Sequence, residues 1–587
     1  MTSNRASKRV SSTLVGVTAG QPEKEIVEDA LFRQYLQELS EESSPMKLLN
    51  GYNTWFPGVD MSEENAFFYN AFAKGFMVSV SPQLAHKNLQ ISAVFIPPGI
   101  SNPILRSVFY ACGAAFLCWR RKDMCQIAEK KYEQCLSMVS RFIDKKSIIG
   151  NESWLLVALL CFCLREKYHG EDVTLNTCHL VAALEIIRLW QANKRRIPGF
   201  LKSLAPQKHA QNKLLKQSSG RSILQGIYGK LEERTDDSDS GSDNFFCLDD
   251  EVSPASFSTV SNNLQQAQLK NATIFHQLIG KMRPQLMEEA ESIEREIRQD
   301  CSSPSDSEDA CISISKVGMS EISSHFMPGD QTVDACERTL LESFLYNYTI
   351  NLFICDKNAV EYLASPFDVF KAFKDFLSPR IYDCPVPWMN NPVMGASLPA
   401  FEIAAKTNWL ALQYPLSEKN RKLAVLLMKS AKYYALPVLP ANIKAREPKN
   451  VQRRLMESCY MGGMVSKASF IFLKKLLNPD IQGSDSEIVE TVESFNKDLF
   501  MLTLHSQISA ICAWPMAIVG VAAVQQEHRD YLVWRINNFC DVVRSEASST
   551  VLKYWEVIWG EEKDGLRALG SSLDALLDRR YLKYLFI

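Results

Sequence analysis

The chain has 587 residues, which is long enough for one large globular unit or two fused ones. Hydrophobic residues make up 46% and charged residues 22%, the proportions of a folded protein rather than of a disordered one. The formal net charge of -2 excludes a global attraction to nucleic acid, so a contact with DNA would need a local basic patch.

The first part of the chain is predicted to be helical after a disordered N-terminus at residues 1–25. In some segments apolar residues recur at helical spacing, and in others they occupy nearly every position. The five segments are 64–80, 102–121, 124–143, 151–168 and 175–196. Apolar segments alternate with amphipathic ones, which is typical of stacked antiparallel helices. Runs with a period of two are few and short, so we predict an all-α, irregular antiparallel helix stack whose first part covers residues 26–200.

A basic run closes this first part. Lys194, Arg195 and Arg196 stand at the end of a predicted helix, where cations interact favourably with the helix dipole. They are either a solvated last turn or a candidate nuclear import signal.

Composition changes over residues 201–331, which become acidic and rich in serine. We predict a long, mostly disordered insertion that contains one helix at about 264–298. Phe245, Phe246 and Leu248 lie among aspartates there, which is the composition of an activation segment, although a solvated linker is the alternative. Four serines beside acidic residues are candidate phosphosites: Ser238, Ser240, Ser305 and Ser307.

Helical periodicity resumes at residues 332–587, the predicted second part of the helical domain. The most apolar segment runs from 511 to about 526, which is shorter than the roughly 18–20 residues that a membrane-spanning helix needs. Because it contains Pro515 and Gly520, we predict a buried helix that starts near Pro515 and packs closely on another helix, with no membrane span. Further along, Trp555 and Trp559 are four residues apart and are predicted to stack in the core, and Gly560 is predicted to end their helix.

Sequence signatures of catalysis are absent. The chain has no phosphate-binding glycine loop, no zinc-protease motif and no nucleophile elbow. Cys112, Cys118 and Cys125 superficially suggest a zinc site, but they lie in apolar helical sequence and are predicted to pack in the core. The sequence therefore predicts no catalytic residue, no cofactor and no metal site, and a protein that is not an enzyme.

The segment "AWPMAIVGVAAVQQEHRDYL" resembles the C-terminal end of the fungal-specific transcription factor domain of the second type. The residues that carry this resemblance are Trp514, Pro515, Gly520 and Arg529, followed by Trp559 in "VLKYWEVIWGEEKDG". Three upstream segments and "NPVMGASLPAFEIAAKTNWL" are similar to earlier parts of that domain in the same order. The resemblance covers the chain from about residue 30 to its end, interrupted by the acidic insertion.

The resemblance implies an all-helical regulatory domain of a fungal transcription regulator, an activator that acts in the nucleus on metabolic genes. Members of the family usually read DNA through an N-terminal zinc cluster with six cysteines, whereas the first cysteine here is Cys112. DNA contact is therefore expected only indirectly, through a missing N-terminal module or a DNA-binding partner protein. Transcription machinery and a small-molecule effector are the other implied partners, and a homodimer is left open. The alternative function is a helical scaffold or adaptor outside transcription.

Overall fold

The computed structural model describes residues 62–119, 121–145, 152–169, 173–193, 333–357, 363–504, 506–543, 545–560 and 569–585. Of these described residues 77% are helical and none is in a strand, so the predicted all-α class is confirmed. An isolated antiparallel bridge joins Gln482 to Ser572. The described residues from Phe68 onward form one compact unit, an irregular antiparallel stack of helices. The predicted disordered N-terminus and the acidic insertion lie outside the described residues.

Fourteen α-helices form the main elements of the described part of the chain. In chain order they are α1 (Glu63–Asn70), α2 (Pro103–Cys118), α3 (Cys125–Lys145), α4 (Ser153–His169), α5 (Val173–Asn193), α6 (Ala335–Ile354), α7 (Pro366–Leu377), α8 (Leu398–Leu412), α9 (Glu418–Lys432), α10 (Lys449–Leu477), α11 (Ser486–Phe500), α12 (Ala513–Ala522), α13 (Gln526–Val543) and α14 (Glu546–Trp559). A π-helical stretch, Ala71–Phe76, and Met77–Ser79 extend α1, and shorter α-helices are Ile91–Phe95, Pro98–Ser101, Ala441–Arg446 and Arg579–Leu582.

Helix α2 carries four small residues, Ala111, Gly113, Ala114 and Ala115, and all four are buried in the first part of the stack. Helix α2 packs against α3 and α4 and against the π-helical stretch that follows α1. A Cβ atom at Gly113 would lie 2.0 Å from the carbonyl oxygen of Phe68, so only glycine permits this approach of two backbones. Asn102 starts α2 by accepting a hydrogen bond from the Leu105 N–H at 3.0 Å.

Helix α6 lies at the centre of the stack and is buried along almost its whole length. It packs against α4 and α5 on one side and against α8 on the other, so it joins the two parts of the chain that flank the insertion. Hydrogen bonds link α6 to these neighbours: the Asn351 side-chain amide donates to Thr177 Oγ1 of α5 at 3.1 Å, and the Asn408 side-chain amide of α8 donates to the Thr349 backbone carbonyl of α6 at 2.9 Å. Such bonds offset the cost of burying amides in a helix core.

The predicted helix near Pro515 is observed, but it begins two residues earlier than expected, at Ala513. The N–H groups of the first helical turn have no intrahelical acceptor, so proline is tolerated at the third position as well as at the first. Helix α14 ends at Gly560, as predicted, and the Gly560 N–H donates to the Glu556 carbonyl at 2.9 Å.

Candidate functional site: a polar cavity beside Lys167

A cavity of about 40 Å³ lies between helices from both parts of the chain. Its walls come from α4, α6 and the start of α14, together with the 3-10 turn before α12. Aliphatic side chains form much of the wall, among them Val80, Ile91, Leu164 and Ile511. A few polar groups are placed within this apolar lining, which is the usual make-up of a small-molecule site.

Among the described residues of the cavity wall, Lys167 is the charged one. Helix α4 is apolar over most of its length and brings Lys167, partly buried, to the cavity near its C-terminal end. The ammonium nitrogen lies 4.4 Å from the centre of the Tyr346 ring. No carboxylate of the described residues comes within ion-pair distance of it. Because burial disfavours the charged form, the pKa of Lys167 is lowered to about 8.

Three further polar atoms in the wall lack hydrogen-bond partners among the described residues: Ser343 Oγ, Asn347 Oδ1 and Ser545 Oγ. All three side chains are at least 95% buried. The Asn347 amide nitrogen donates to the Ser343 carbonyl at 2.8 Å, which fixes Oδ1 as the end without a partner. A buried polar atom without a partner costs roughly 1–3 kcal/mol, so this group of residues is not arranged for stability.

The N-terminus of α14 also faces the cavity. Ser545 is the residue before the helix, and Ala547 in its first turn forms part of the wall. The N–H groups of a first turn carry a partial positive charge. The acidic residue of this turn, Glu546, is not part of the wall and instead forms an ion pair with Lys122 at 2.5 Å.

Two tyrosines hold the wall in place. The Tyr346 hydroxyl donates to the Ala510 carbonyl at 3.2 Å, and burial raises the pKa of Tyr346. The Tyr168 hydroxyl shares a hydrogen bond with Ser79. Both rings are therefore fixed by bonds at their hydroxyl ends, so the face of Tyr346 stays available to Lys167.

A buried carboxylate adjoins the cavity. Glu342 on α6 accepts hydrogen bonds from the N–H groups of Val393 and Met394 at 3.1 and 2.5 Å, and Val393 is part of the wall. Burial raises the pKa of Glu342 to about 7, and the nearby Arg338 opposes this shift. The side chain next to Ser343 therefore titrates near neutral pH.

A second buried polar group, between α3, α4 and α5, has its main partners within the protein. Arg165 forms ion pairs with Glu129 and with Glu166, and its guanidinium lies 3.8 Å from the centre of the Tyr132 ring. The Tyr132 hydroxyl and His179 Nε2 are 2.9 Å apart. Burial, followed by the charge of Arg165, lowers the pKa of His179 to about 3, so the imidazole is neutral. This group supports the packing of three helices.

Three of the residues that carry the sequence resemblance, Gly520, Arg529 and Trp559, meet at one helix contact. Trp555 and Trp559 stack with ring centres 5.2 Å apart, which confirms the predicted stacking. Trp559 Nε1 donates to the Gly520 carbonyl at 3.1 Å. The Arg529 guanidinium lies 5.0 Å from the centre of the Trp559 ring, and its Nε donates to the Ala523 carbonyl at 2.7 Å.

The other two motif residues lie near the opposite end of α12. Trp514 is fully buried and makes an edge contact with Phe353 of α6, with ring centres 6.2 Å apart. Pro515 is buried beside it in the same turn. These five residues therefore connect α12, α13 and α14 to each other and to α6, and they are not part of the cavity wall.

The remaining candidate residues lie outside the described residues. These are the basic run Lys194, Arg195 and Arg196, the activation segment Phe245, Phe246 and Leu248, and the serines Ser238, Ser240, Ser305 and Ser307.

Cys112 and Cys118 are buried, as predicted for core residues, and Cys125 is half-buried. Within the described ranges, no cluster of His, Cys, Asp and Glu could hold a metal ion. Over the same ranges, no helix is both long and apolar enough to cross a membrane.

The sequence interpretation missed the cavity residues, although two signals were available. Ser343, Asn347 and Asn351 follow each other at intervals of four within "SFLYNYTIN", where most other residues are aromatic or aliphatic, and this spacing places a polar stripe on a buried helix. Lys167 was a second signal, because it closes a largely apolar helical segment. Neither signal says which other helix faces these residues.

No family model matches this chain, and neither a curated protein nor a solved structure matches it.

Proposed function

We propose that this chain is a transcription regulator of the fungal-specific kind, and that its helical body is the regulatory domain that receives a signal. The signal is a small molecule in the cavity beside Lys167, and the output passes to transcription machinery or to a DNA-binding partner protein. DNA contact by the chain itself would need a further module.

The observation that carries the proposal is the meeting of Gly520, Arg529 and Trp559 at one helix contact. The resemblance rests on residues scattered over 46 positions from Trp514 to Trp559, and residues that merely happened to match would have no reason to touch. Their contacts support the interpretation of the motif as one packing unit of a regulatory domain rather than as unrelated tryptophans. The cavity supports the same proposal, because a site between helices of both parts can bias how those parts pack.

Cellular location tests the first half of the proposal. We expect the tagged full-length protein to accumulate in the nucleus and to associate with chromatin. The triple variant Lys194→Ala, Arg195→Ala, Arg196→Ala should lose nuclear accumulation. A matched control, Lys419→Ala, Arg421→Ala, Lys422→Ala, removes three charges from α9 and should not change it. A wild-type protein that stays in the cytosol would contradict the proposal and favour the scaffold alternative.

A tethering experiment tests the second half. The full chain fused to an unrelated DNA-binding domain should activate a reporter gene, and the variant Phe245→Ala, Phe246→Ala, Leu248→Ala should lower that activation severalfold. Acidic segments recruit partners through aromatic and aliphatic side chains that they keep exposed, so alanine removes the contact but not the charge. An inactive wild-type fusion, or equal activation by the variant, would remove the activation segment from the proposal.

A further inference from the structure

The polar groups of the cavity are those that would bind an anion. Lys167 supplies a cation without a carboxylate partner among the described residues, and the first turn of α14 adds the positive end of a helix dipole. Ser343 and Ser545 supply hydroxyl groups that can donate. Among the described residues, no acidic side chain is part of the wall.

We propose that this cavity binds a small monocarboxylate that carries a hydroxyl group, with Lys167 as the counter-charge to the carboxylate. The ammonium group and the two serine hydroxyls donate to the carboxylate oxygens, and charge-assisted hydrogen bonds of this kind are the strong ones in proteins.

Asn347 specifies the hydroxyl group of the ligand. Its Oδ1 can only accept, because the amide nitrogen is already bonded to the Ser343 carbonyl. A ligand hydroxyl can donate to this oxygen and so complete the set of partners. A ligand ammonium could donate as well, but it would lie in the same small cavity as the Lys167 cation and be repelled by it.

The volume of the cavity limits the ligand to a few heavy atoms. A volume of about 10–15 Å³ on this measure holds one water molecule, so about 40 Å³ holds roughly three water-sized groups. Glycolate, the smallest 2-hydroxy acid, matches this size and supplies both the carboxylate and the hydroxyl group.

The role of such a ligand as an effector rests on the proposed function, whereas its binding does not. A direct binding measurement on the purified full-length protein therefore tests this inference separately. Failure of the location and tethering experiments would leave the binding site standing, and failure to bind would leave the transcriptional proposal standing with a different signal.

The experiment is calorimetric titration of the full chain with glycolate and, for comparison, with glycolamide at equal ionic strength. Glycolamide keeps the hydroxyl group and the shape but lacks the negative charge. We expect glycolate to bind with a Kd of about 1 mM or tighter, given its five heavy atoms, and glycolamide to bind at least tenfold more weakly. Equal binding of the two, or no binding of glycolate at about 10 mM, would overturn the proposal.

Two variants locate the site. Lys167→Met keeps the length of the side chain without its charge and should weaken glycolate binding at least tenfold. Lys429→Met removes an exposed lysine of α9 and should leave binding unchanged. Unchanged binding by the Lys167→Met protein would place the anion elsewhere and overturn the proposal.

The pH dependence of the wild-type protein gives a test that needs no variant. The groups that face Lys167 are Cys163 one turn earlier on α4, Tyr346 of α6 and, beyond that ring, Cys512. Burial raises the pKa of all three, so they stay neutral at pH 7–9. Glu342 beside the cavity, whose pKa is about 7, gains negative charge over the lower part of this range, while Lys167 loses its positive charge, and both changes weaken the binding of an anion. Glycolate affinity should therefore fall about tenfold from pH 7 to pH 9 as the lysine loses its proton. A flat profile over this range would contradict the assignment of Lys167 as the counter-charge.

Discussion

The contact between Gly520 and Trp555 gives the sharpest prediction about helix packing in this protein. A Cβ atom at position 520 would lie 2.1 Å from both Cε2 and Nε1 of Trp555. Favourable separations of such atoms are about 3.5–4.0 Å, so the indole or the helix would have to move by more than about 1 Å. Trp555 is fully buried and stacked on Trp559, and a shift of the ring would disturb both residues.

The change Gly520→Ala is therefore expected to lower the free energy of unfolding by about 3 kcal/mol, the upper range for one extra methyl group in a packed core. Without the contact to Trp555, Gly520→Ala should instead raise the free energy of unfolding, because alanine in a helix is favoured over glycine by about 1 kcal/mol. In a Trp555→Leu background, where the indole is gone, Gly520→Ala should stabilise the protein by roughly 0.5–1 kcal/mol.

Urea unfolding followed by far-UV circular dichroism measures the four proteins of this double-mutant cycle. The expected coupling between the two positions, the difference between these two effects, is about 3.5–4 kcal/mol. An equal cost of Gly520→Ala in both backgrounds would refute the reasoning, because Trp555 would then not be what excludes a side chain at position 520.

Three further predictions follow from the buried charges and one helix cap. Lys167→Met should stabilise the protein at pH 7 by about 2 kcal/mol, after allowance for the partial exposure of this side chain. The reason is that the change removes a cation whose pKa burial lowers from 10.5 to about 8. The gain in stability should therefore vanish as the pH rises from 8 to above 10.5. A gain that persists at high pH would show that packing, not charge, is responsible. The pKa of Glu342 is raised from 4.5 to about 7 in the folded state, so the folded state binds more protons than the unfolded state between these pH values. The free energy of unfolding of the wild-type protein should therefore fall by about 3 kcal/mol relative to that of Glu342→Gln from pH 4.5 to pH 8. If denaturant titrations gave the two proteins the same dependence of this free energy on pH, the prediction would be refuted. Asp334→Ala should cost about 1 kcal/mol of unfolding free energy, because Asp334 Oδ1 accepts the Glu337 N–H at 2.7 Å at the start of α6, whereas Asp334→Asn should cost little.

Local features of the fold could be predicted from the sequence because they depend on residues close together in the chain. Helical class follows from apolar spacing, the stacking of Trp555 and Trp559 follows from a separation of four residues, and the end of α14 follows from Gly560. The start of α12 was predicted less well, since a proline marks the first turn of a helix without fixing which position of that turn it takes.

The partners of each helix could not be predicted in this way. Gly113 and Gly520 each indicate that another helix approaches closely. The sequence does not show that Gly113 faces the backbone at Phe68 or that Gly520 faces the ring of Trp555. Helix packing fits ridges of one surface into grooves of another, and many pairings satisfy the same periodicity.

The sequence by itself determined an all-α protein with apolar helices, with small residues where helices approach closely and without a recognised catalytic motif. Only the tertiary structure brought Lys167, Asn347 and Ser545 together, residues separated by 180 and 198 positions along the chain, at one cavity between helices. Helix formation is governed by interactions over three or four residues, whereas a site requires side chains from distant segments to point at one volume, and that convergence exists only after the helices have packed.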